Sequence, residues 1–161
     1  MGSPGRQKHY HVCFVCTGNI CRSPMAEVVF AEALRREGLA DRVRVSSAGT
    51  GGWHVGEPAD PRTAETLRRA GHECKHVAAQ LGAEHLSADL LVALDSGHRT
   101  ALRRLGVRPD QLVLLRSFDP AAGGDLDVPD PYFGGKHGFD EVLYLVRAAT
   151  PGLLAWVRGR L

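Results

Sequence analysis

The chain has 161 residues, a length typical of one domain that buries an apolar core without disulfides or metal. Its composition, 43% hydrophobic and 24% charged, excludes an intrinsically disordered chain. Uninterrupted apolar runs of about five residues are too short for a transmembrane helix. Because 20 Lys and Arg are balanced by 18 Asp and Glu, the net charge of +2 does not predict general nucleic-acid binding.

The first residues of the chain and the number of cysteines indicate in which cellular compartment the protein is located. The first residues contain no apolar signal-peptide region, so we predict a flexible N-terminal tail over 1–9 and a single domain over 10–161. The cysteines are too few and too clustered for the disulfide framework of a secreted protein. They are Cys13, Cys16, Cys21 and Cys74. The sequence therefore predicts a reduced, cytoplasmic protein, with export that needs no signal peptide as an open alternative.

Segments of strand and helix character alternate along the chain. Tyr10–Cys16 is typical of a buried strand, and Ser23, as an N-cap before Pro24, predicts a helix that ends at Gly38. The later predicted elements are strands at 43–47, 89–94 and 111–115, helices at 60–71 and 96–106, and a final helix over 139–157 that bends or divides at 151–152. This alternation predicts an α/β fold with a four-stranded parallel sheet flanked by helices on both faces.

The longest stretch without periodicity runs from 116 to 136 and contains three prolines and four glycines. A loop of this length in a compact domain is usually functional, so its carboxylates are candidate acids. They are Asp119, Asp125, Asp127 and Asp130.

A cysteine ends the first predicted strand, and an arginine and a serine follow before the first helix. Ligands of open α/β sheets bind at such strand ends. A tight loop that enters a helix N-terminus directs backbone N–H groups at an oxyanion, and Arg22 can bind two of its oxygens. The same positive surroundings favour the thiolate of Cys16, which is suited to in-line attack on phosphorus. We therefore predict a phosphate-binding loop from Cys16 to Ser23.

Other interpretations of the cysteines remain open at this point. Cys13 and Cys74 are interpreted as small core residues, the commonest role of a lone cysteine. Cys13 and Cys16 form a C-x-x-C pair typical of redox or zinc sites, but they lie within a strand rather than at a helix start. Since the sequence has no second C-x-x-C and no paired-histidine motif, we predict no metal.

The segment from Cys16 to Ser23, followed by Pro-Met-Ala-Glu, resembles the signature of the low-molecular-weight protein tyrosine phosphatases of bacterial type. The resemblance extends over nearly the whole chain from Val12 onward. Further matching segments follow in the family's order: V-S-S-A-G-T at 45–50, H-V-A at 76–78, L-D at 94–95 and D-P-Y-F-G at 130–134. This ordered set is far more specific than the cysteine-to-arginine pattern alone.

The resemblance implies a two-step reaction through a phosphocysteine, with Cys16 as the nucleophile and Arg22 as the phosphate ligand. Asp130 would protonate the departing phenolate and then activate water, and its alternative role is that of an ordinary turn aspartate. The other three loop aspartates are weaker candidates. Ser23 would donate a hydrogen bond to the Cys16 thiolate besides capping the helix.

A polar network that holds the shape of the loop is also implied by the resemblance. Asn19 would lie at its centre, with Ser47 and His76 as partners, and Asp95 would support that side of the site from a strand end. From the sequence alone, a surface or core position is the commoner outcome for a histidine such as His76. Cys21 either fills an apolar space under the loop or, as the resemblance favours, traps an oxidised Cys16 in a reversible disulfide.

Two groups of residues are predicted to bind substrate. They are Thr17, Gly18, Asn19, Ile20 and Cys21 in the loop, and Trp53, His54, Tyr132 and Phe133 at the pocket mouth. Aromatic walls would stack on a phenyl ring at a depth that phosphoserine cannot span, although each aromatic could equally be core. Phe133 stands where some family members have a second tyrosine. The apolar Ile20 stands where related arginine phosphatases have a threonine, which favours phosphotyrosine.

We therefore expect a metal-independent tyrosine phosphatase without a cofactor, which acts as a monomer on phosphotyrosine-containing proteins and has no nucleic-acid or membrane partner. Arsenate reductase is an alternative, but it requires resolving cysteines, and only Cys74 is a distant candidate. A phosphoarginine phosphatase is a second alternative. A catalytically silent phosphotyrosine-binding module is a third, and the presence of both Cys16 and Asp130 argues against it.

Overall fold

The structure, a computed structural model, describes residues 9–135 and 137–161. The tail predicted over 1–9 lies outside these residues except for its last position, and it stays a prediction.

The four predicted strands form one parallel sheet in the order β2-β1-β3-β4, which confirms the predicted architecture. The strands are β1 (Tyr10–Cys16), β2 (Val43–Gly49), β3 (Leu90–Ala93) and β4 (Leu112–Leu114). The central strand β1 pairs with β2 along its whole length and with β3 over four residues. The side chains of β1 from His11 to Cys16 are buried, as expected for a parallel strand with both faces covered.

Helices cover both faces of the sheet, as predicted. They are α1 (Arg22–Arg36), α2 (Pro61–Arg69), the single turn α3 (Ala83–Leu86), α4 (Ser96–Arg104) and α5 (His137–Arg158). Alternate residues of β1 face opposite sides, so Val12, Phe14 and Cys16 enter the larger core under α1 and α5. Cys13 and Val15 enter the smaller core under α4. None of the helices in the described ranges is long and apolar enough to span a bilayer.

One detail of the predicted helices is wrong, and one of the two alternatives for the final helix is excluded. Cys21, not Ser23, is the N-cap of α1, because the Ser23 side chain lies inside the first turn and contacts the Cys16 sulfur. The final helix is not divided, since α5 continues through Pro151. Ala149 and Leu153, two residues before and two residues after this proline, are both buried in the larger core, so packing offsets the lost backbone hydrogen bond.

The loop between the last 3₁₀ turn (Leu115–Phe118) and α5 crosses the carboxyl edge of the sheet. The Val128 N–H donates to the Leu94 carbonyl (2.8 Å), and the Val128 side chain is fully buried. This anchor, two residues before Asp130, brings the end of the loop to the end of β3. The fold therefore gathers three segments at one edge: the residues after β1, the residues after β3 and the long loop.

Candidate active site

The segment after β1 forms a cradle of backbone N–H groups. Its carbonyl groups are bound to the surrounding loops, because Cys16 O accepts from Thr50 N (2.9 Å), Thr17 O from Gly51 N (3.0 Å) and Ile20 O from Asp60 N (2.9 Å). The N–H groups of residues 18–21, by contrast, donate to no other group in the described part of the chain. Consecutive free N–H groups at a helix N-terminus form a site suited to an oxyanion.

A directional chain of hydrogen bonds ends on the sulfur of Cys16. The Asn19 Nδ2 amide donates one hydrogen to Ser23 Oγ (2.8 Å) and the other to Ser47 Oγ (2.9 Å). Each serine oxygen is therefore an acceptor, and its own proton goes elsewhere: Ser47 donates to Glu27 Oε1 (2.5 Å), and Ser23 donates to Cys16 Sγ (2.8 Å). A donor directed at sulfur stabilises the thiolate over the thiol.

Asn19 is fixed in the orientation that this chain requires. Its backbone has a left-handed φ of 57°, which Asn tolerates better than most residues. The Ala79 N–H donates to Asn19 Oδ1 (2.9 Å), which leaves Nδ2 as the donor, and His76 Nε2 lies 2.6 Å from the Asn19 carbonyl and donates to it. The Asn19 side chain is fully buried behind the cradle and does not line the cavity, whereas its backbone N–H belongs to the cradle, so the predicted substrate contact of Asn19 stays a prediction for the backbone alone.

Arg22 is a buried guanidinium held by two acceptors. Its Nη1 donates to Asp95 Oδ2 and to the Val128 carbonyl, both at 2.8 Å, which leaves Nη2 on the side of the Cys16 cavity. Burial alone would raise the pKa of Asp95, but the His98 backbone N–H and the charge of Arg22 lower it. Asp95 therefore remains a carboxylate and balances the buried cation.

Asp130 lies on the rim of the cavity, where its side chain is about half exposed. Its Oδ1 accepts from Tyr132 N (3.0 Å), and its Oδ2 lies 3.8 Å from Arg22 Nη2. An exposed carboxyl at this position can exchange a proton with solvent and still face a group bound over Cys16. Of the four loop aspartates, only Asp130 lines the cavity in the described part of the chain.

The cavity above Cys16 has a volume of about 330 Å³ and contains the predicted aromatic residues. Trp53 and Phe133 are 74% and 93% exposed, and Tyr132 is 37% exposed, so none of the three belongs to the core. The cavity is lined by Cys16, Thr17, Gly18, Ile20, Cys21, Arg22, Trp53, His54, Asp130, Tyr132 and Phe133. A larger cavity of about 590 Å³ beside α2 is lined by no cysteine.

Sequence reasoning missed two residues that support these walls and the cradle. Arg62 donates to the Tyr132 carbonyl (3.1 Å) and lies 5.5 Å from the Tyr132 ring centroid, so it braces one wall. His98, in the first turn of α4, lies 2.8 Å from Thr17 Oγ1. The sequence pattern that could have identified His98 is D-x-x-H after β3. In this pattern the side chain of the third helical residue can accept a hydrogen bond from the backbone N–H of the capping residue.

The other cysteines differ from Cys16 in their surroundings. Burial, followed by the charge of Asp60, raises the pKa of Cys21 to about 12, and burial raises the pKa of Cys13 to about 11. Cys21 packs with Ile20, Ala78 and Phe139, which agrees with an apolar filler under the loop. Its capture of an oxidised Cys16 stays a prediction. All four cysteines are unpaired.

Comparison with known proteins agrees with this geometry. Residues 11–160 match the family model described as low molecular weight phosphotyrosine protein phosphatase. The chain is 59% identical over 152 residues to low molecular weight protein-tyrosine phosphatase A of Mycobacterium tuberculosis, which covers 94% of this chain and 93% of that protein. Its fold is similar to the crystal structure of YfkJ from Bacillus subtilis, with a TM-score of 0.87, 36% identity and coverage of 97% and 99% of the two chains. It is also similar to the crystal structure of a drosophila arginine phosphatase, with a TM-score of 0.82, 28% identity and coverage of 91% and 96%.

Acidification should destabilise the protein in part through His98. Burial is the main reason that the pKa of His98 falls from 6.5 to about 4. The unfolded chain takes up this proton below about pH 6.5 and the native state does not, so the contribution of His98 is complete above pH 6.5 and is lost towards pH 4. It amounts to about 3 kcal/mol at most.

Urea denaturation of the parent protein and of His98→Gln at several pH values tests this expectation. The free energy of unfolding of the parent protein, taken relative to that of His98→Gln, should fall by up to about 3 kcal/mol as the pH falls from 6.5 to about 4. The other histidines are present in both proteins, so their contributions to the pH dependence cancel in the difference. A difference that stays constant over this range would contradict the buried, neutral state of His98.

Proposed function

The chain belongs to the family of low molecular weight phosphotyrosine protein phosphatases, and we propose that it hydrolyses phosphotyrosine through a phosphocysteine formed on Cys16. The observation that carries this proposal is the Cys16 sulfur, which accepts a hydrogen bond from Ser23 beneath a cradle of free N–H groups closed by Arg22. A nucleophile and an oxyanion site are thus combined in one loop. The exposed carboxyl of Asp130 supplies the third group that the reaction needs.

In the first step, the Cys16 thiolate attacks phosphorus opposite the phenolic oxygen. The S–P bond forms while the P–O bond breaks, and Asp130 transfers its proton to the departing tyrosine oxygen. The N–H groups of residues 18–21 and the Arg22 guanidinium stabilise the negative charge on the three equatorial oxygens. This stabilisation acts on the transition state because both sets of donors are already held in place by the fold.

In the second step, water attacks the phosphocysteine and the S–P bond breaks. Asp130, now a carboxylate, accepts a proton from this water, and inorganic phosphate forms. The leaving thiolate returns to the hydrogen bond of the Ser23 hydroxyl, which lowers the energy of the departing sulfur. Asn19 contributes indirectly, because its amide orients the Ser23 hydroxyl toward sulfur.

The walls of the cavity support a phenyl rather than a shorter substituent on the phosphate. Trp53 and Tyr132 stand above the loop that holds the phosphate, so an aromatic ring of the substrate reaches between them. Ile20, which is 8% exposed, lines the same cavity and offers no acceptor for a guanidinium. These residues therefore favour phosphotyrosine over phosphoserine and phosphoarginine.

The proposal also includes the oligomeric state, the partners and the cellular location of the enzyme. Residues 10–161 would act as one domain and as a monomer on phosphotyrosine-containing proteins, without a metal, a nucleic acid or a membrane as partner. The balanced net charge of +2 supports the absence of a nucleic-acid partner, and the unpaired cysteines support a reducing cytoplasm. Cys74 does not line the Cys16 cavity, which speaks against an arsenate reductase with Cys74 as the resolving cysteine.

Replacement of Asp130 should affect substrates according to their leaving group. Asp130→Asn removes the acid, so kcat/KM on a phosphotyrosine peptide should fall by roughly 10² to 10⁴. The loss on p-nitrophenyl phosphate should be much smaller, because p-nitrophenolate leaves without a proton. The ratio kcat/KM is the appropriate measure, since it includes the steps up to departure of the phenol and excludes hydrolysis of the phosphocysteine.

Asp125→Asn is the matched control, because Asp125 is an exposed carboxylate on the same loop that does not line the cavity. It should keep the parent activity on both substrates. Equal losses on the two substrates for Asp130→Asn, or a comparable loss for Asp125→Asn, would refute the assignment of Asp130 as the acid. Activity of the parent protein should also be insensitive to EDTA.

The identity of residue 20 should control the preference between phosphotyrosine and phosphoarginine. The parent protein should have a kcat/KM at least about tenfold higher on phosphotyrosine than on phosphoarginine. Ile20→Thr should lower this ratio because it places a hydroxyl group in the cavity wall, whereas Ile20→Val, which only shortens the apolar side chain, should preserve it. A parent protein that prefers phosphoarginine, or equal effects of the two substitutions, would show that Ile20 does not select the substrate.

A further inference from the structure

We propose that His98 is a positioning residue: from the first turn of α4, its neutral imidazole orients the Thr17 hydroxyl so that this hydroxyl donates its proton to the bound phosphoryl group. The inference rests on the proposed function, because it concerns the binding of phosphate above Cys16. It adds a side-chain donor to the backbone cradle and Arg22.

The contacts of His98 determine which ring nitrogen carries the proton. His98 Nδ1 accepts the backbone N–H of Asp95 (3.2 Å), and Asp95 Oδ1 accepts the backbone N–H of His98 (3.0 Å). These two bonds form the capping box of α4. Nδ1 also lies 3.1 Å from Asp95 Oδ1, and Nε2 lies 3.5 Å from Arg22 Nη2. The Asp95 backbone N–H can only donate, so Nδ1 is its acceptor and the proton of the neutral ring is assigned to Nε2. Nε2 lies 2.8 Å from Thr17 Oγ1 and donates to it.

The Thr17 oxygen has one proton to donate and no partner for it within the protein. Oγ1 accepts from His98 Nε2 and faces Arg22 Nη2 at 3.5 Å, so two donors occupy its acceptor directions. In the described part of the chain, the hydroxyl donates to no other side chain or carbonyl. Thr17 lines the cavity together with Cys16 and Arg22, so an oxygen of a bound phosphoryl group is the acceptor that this geometry offers.

A neutral His98 is consistent with the charges around it. The ring is 4% exposed and lies 3.5 Å from the Arg22 guanidinium. Burial and Arg22 lower the pKa of His98 to about 4, although Asp95, Asp130 and Asp127 act in the opposite direction. A protonated ring would place a second cation beside Arg22 and would lose the acceptor for the Asp95 N–H. The neutral ring accepts the Asp95 N–H at Nδ1 and donates to Thr17 Oγ1 from Nε2 without adding a charge beside Arg22.

The alternative role for His98 is helix capping alone, without influence on the phosphate. Substitutions at two positions separate these roles. His98→Gln keeps an acceptor and an N–H donor at a spacing similar to that of the two ring nitrogens, so this variant can retain both contacts. His98→Leu removes both contacts. Thr17→Val removes the hydroxyl and keeps the shape of the side chain.

The experiment is a double-mutant cycle on the full chain. The parent protein, Thr17→Val, His98→Leu and the double variant are compared by kcat/KM on p-nitrophenyl phosphate, with circular dichroism as a check of folding. Each single variant should lose about tenfold, as expected for one hydrogen bond to a charged group. The double variant should lose no more than Thr17→Val alone, because His98 acts through Thr17. His98→Gln should stay close to the parent protein.

A second readout excludes a purely structural effect. The ratio of the inhibition constants of inorganic phosphate and orthovanadate does not depend on the fraction of folded enzyme. Orthovanadate mimics the five-coordinate transition state, so Thr17→Val and His98→Leu should weaken its inhibition more than that of phosphate. If His98→Leu does not fold, Thr17→Val and His98→Gln still test the proposal.

Three results would overturn the proposal while the parent protein remains an active phosphatase: multiplied losses in the double variant, full activity of Thr17→Val, or an unchanged ratio of the two inhibition constants. An inactive parent protein would instead overturn the proposed function. The two failures are therefore distinguishable.

Discussion

The structure depends on keeping two negative charges close together. The Cys16 thiolate must accept a phosphate dianion directly above it, and these charges repel each other strongly in a partly buried site. The loop meets this requirement in two ways, since the Ser23 hydroxyl stabilises the sulfur from below and the free N–H groups and Arg22 surround the position of the phosphate. Each of these donors is fixed before the substrate arrives, so no reorganisation is required at the moment of reaction.

The fold around the loop serves to hold these donors in place. Arg22 is almost fully buried, which is tolerated because the Asp95 carboxylate and the Val128 carbonyl each accept a hydrogen bond from it at 2.8 Å. Asp95 follows β3, and Val128 belongs to the loop that carries Asp130. One guanidinium thus connects the phosphate cradle, the end of a neighbouring strand and the acid-bearing loop.

Local patterns were sufficient to predict the sheet but not all of the site. The strand β1 is an apolar run bounded by a glycine-containing loop, and the structure places it at Tyr10–Cys16, as the sequence predicts. Ser23 misled the prediction of the helix start because a serine before a proline is a typical N-cap. In the fold, its hydroxyl bonds to a sulfur seven residues earlier in the chain, a contact that depends on the curvature of the loop.

The residues that sequence reasoning missed act over long distances along the chain. His98 is 81 residues from Thr17, and Arg62 is 70 residues from Tyr132, so no spacing rule relates either pair. The sequence indicated the chemical groups that react, because they are concentrated in one loop and one D-P-Y segment. It did not indicate the side chains that orient them, because these come together only when the parallel strands align their carboxyl ends.

The measurement that tests this account most directly is mass spectrometry of the parent protein and of Cys16→Ala after an alkaline quench during turnover of p-nitrophenyl phosphate. The account predicts a phosphoryl adduct on Cys16 of the parent protein, because attack by the Cys16 sulfur precedes attack by water, and no adduct or turnover in Cys16→Ala. Turnover by Cys16→Ala, or an adduct on another residue of the parent protein, would contradict the account.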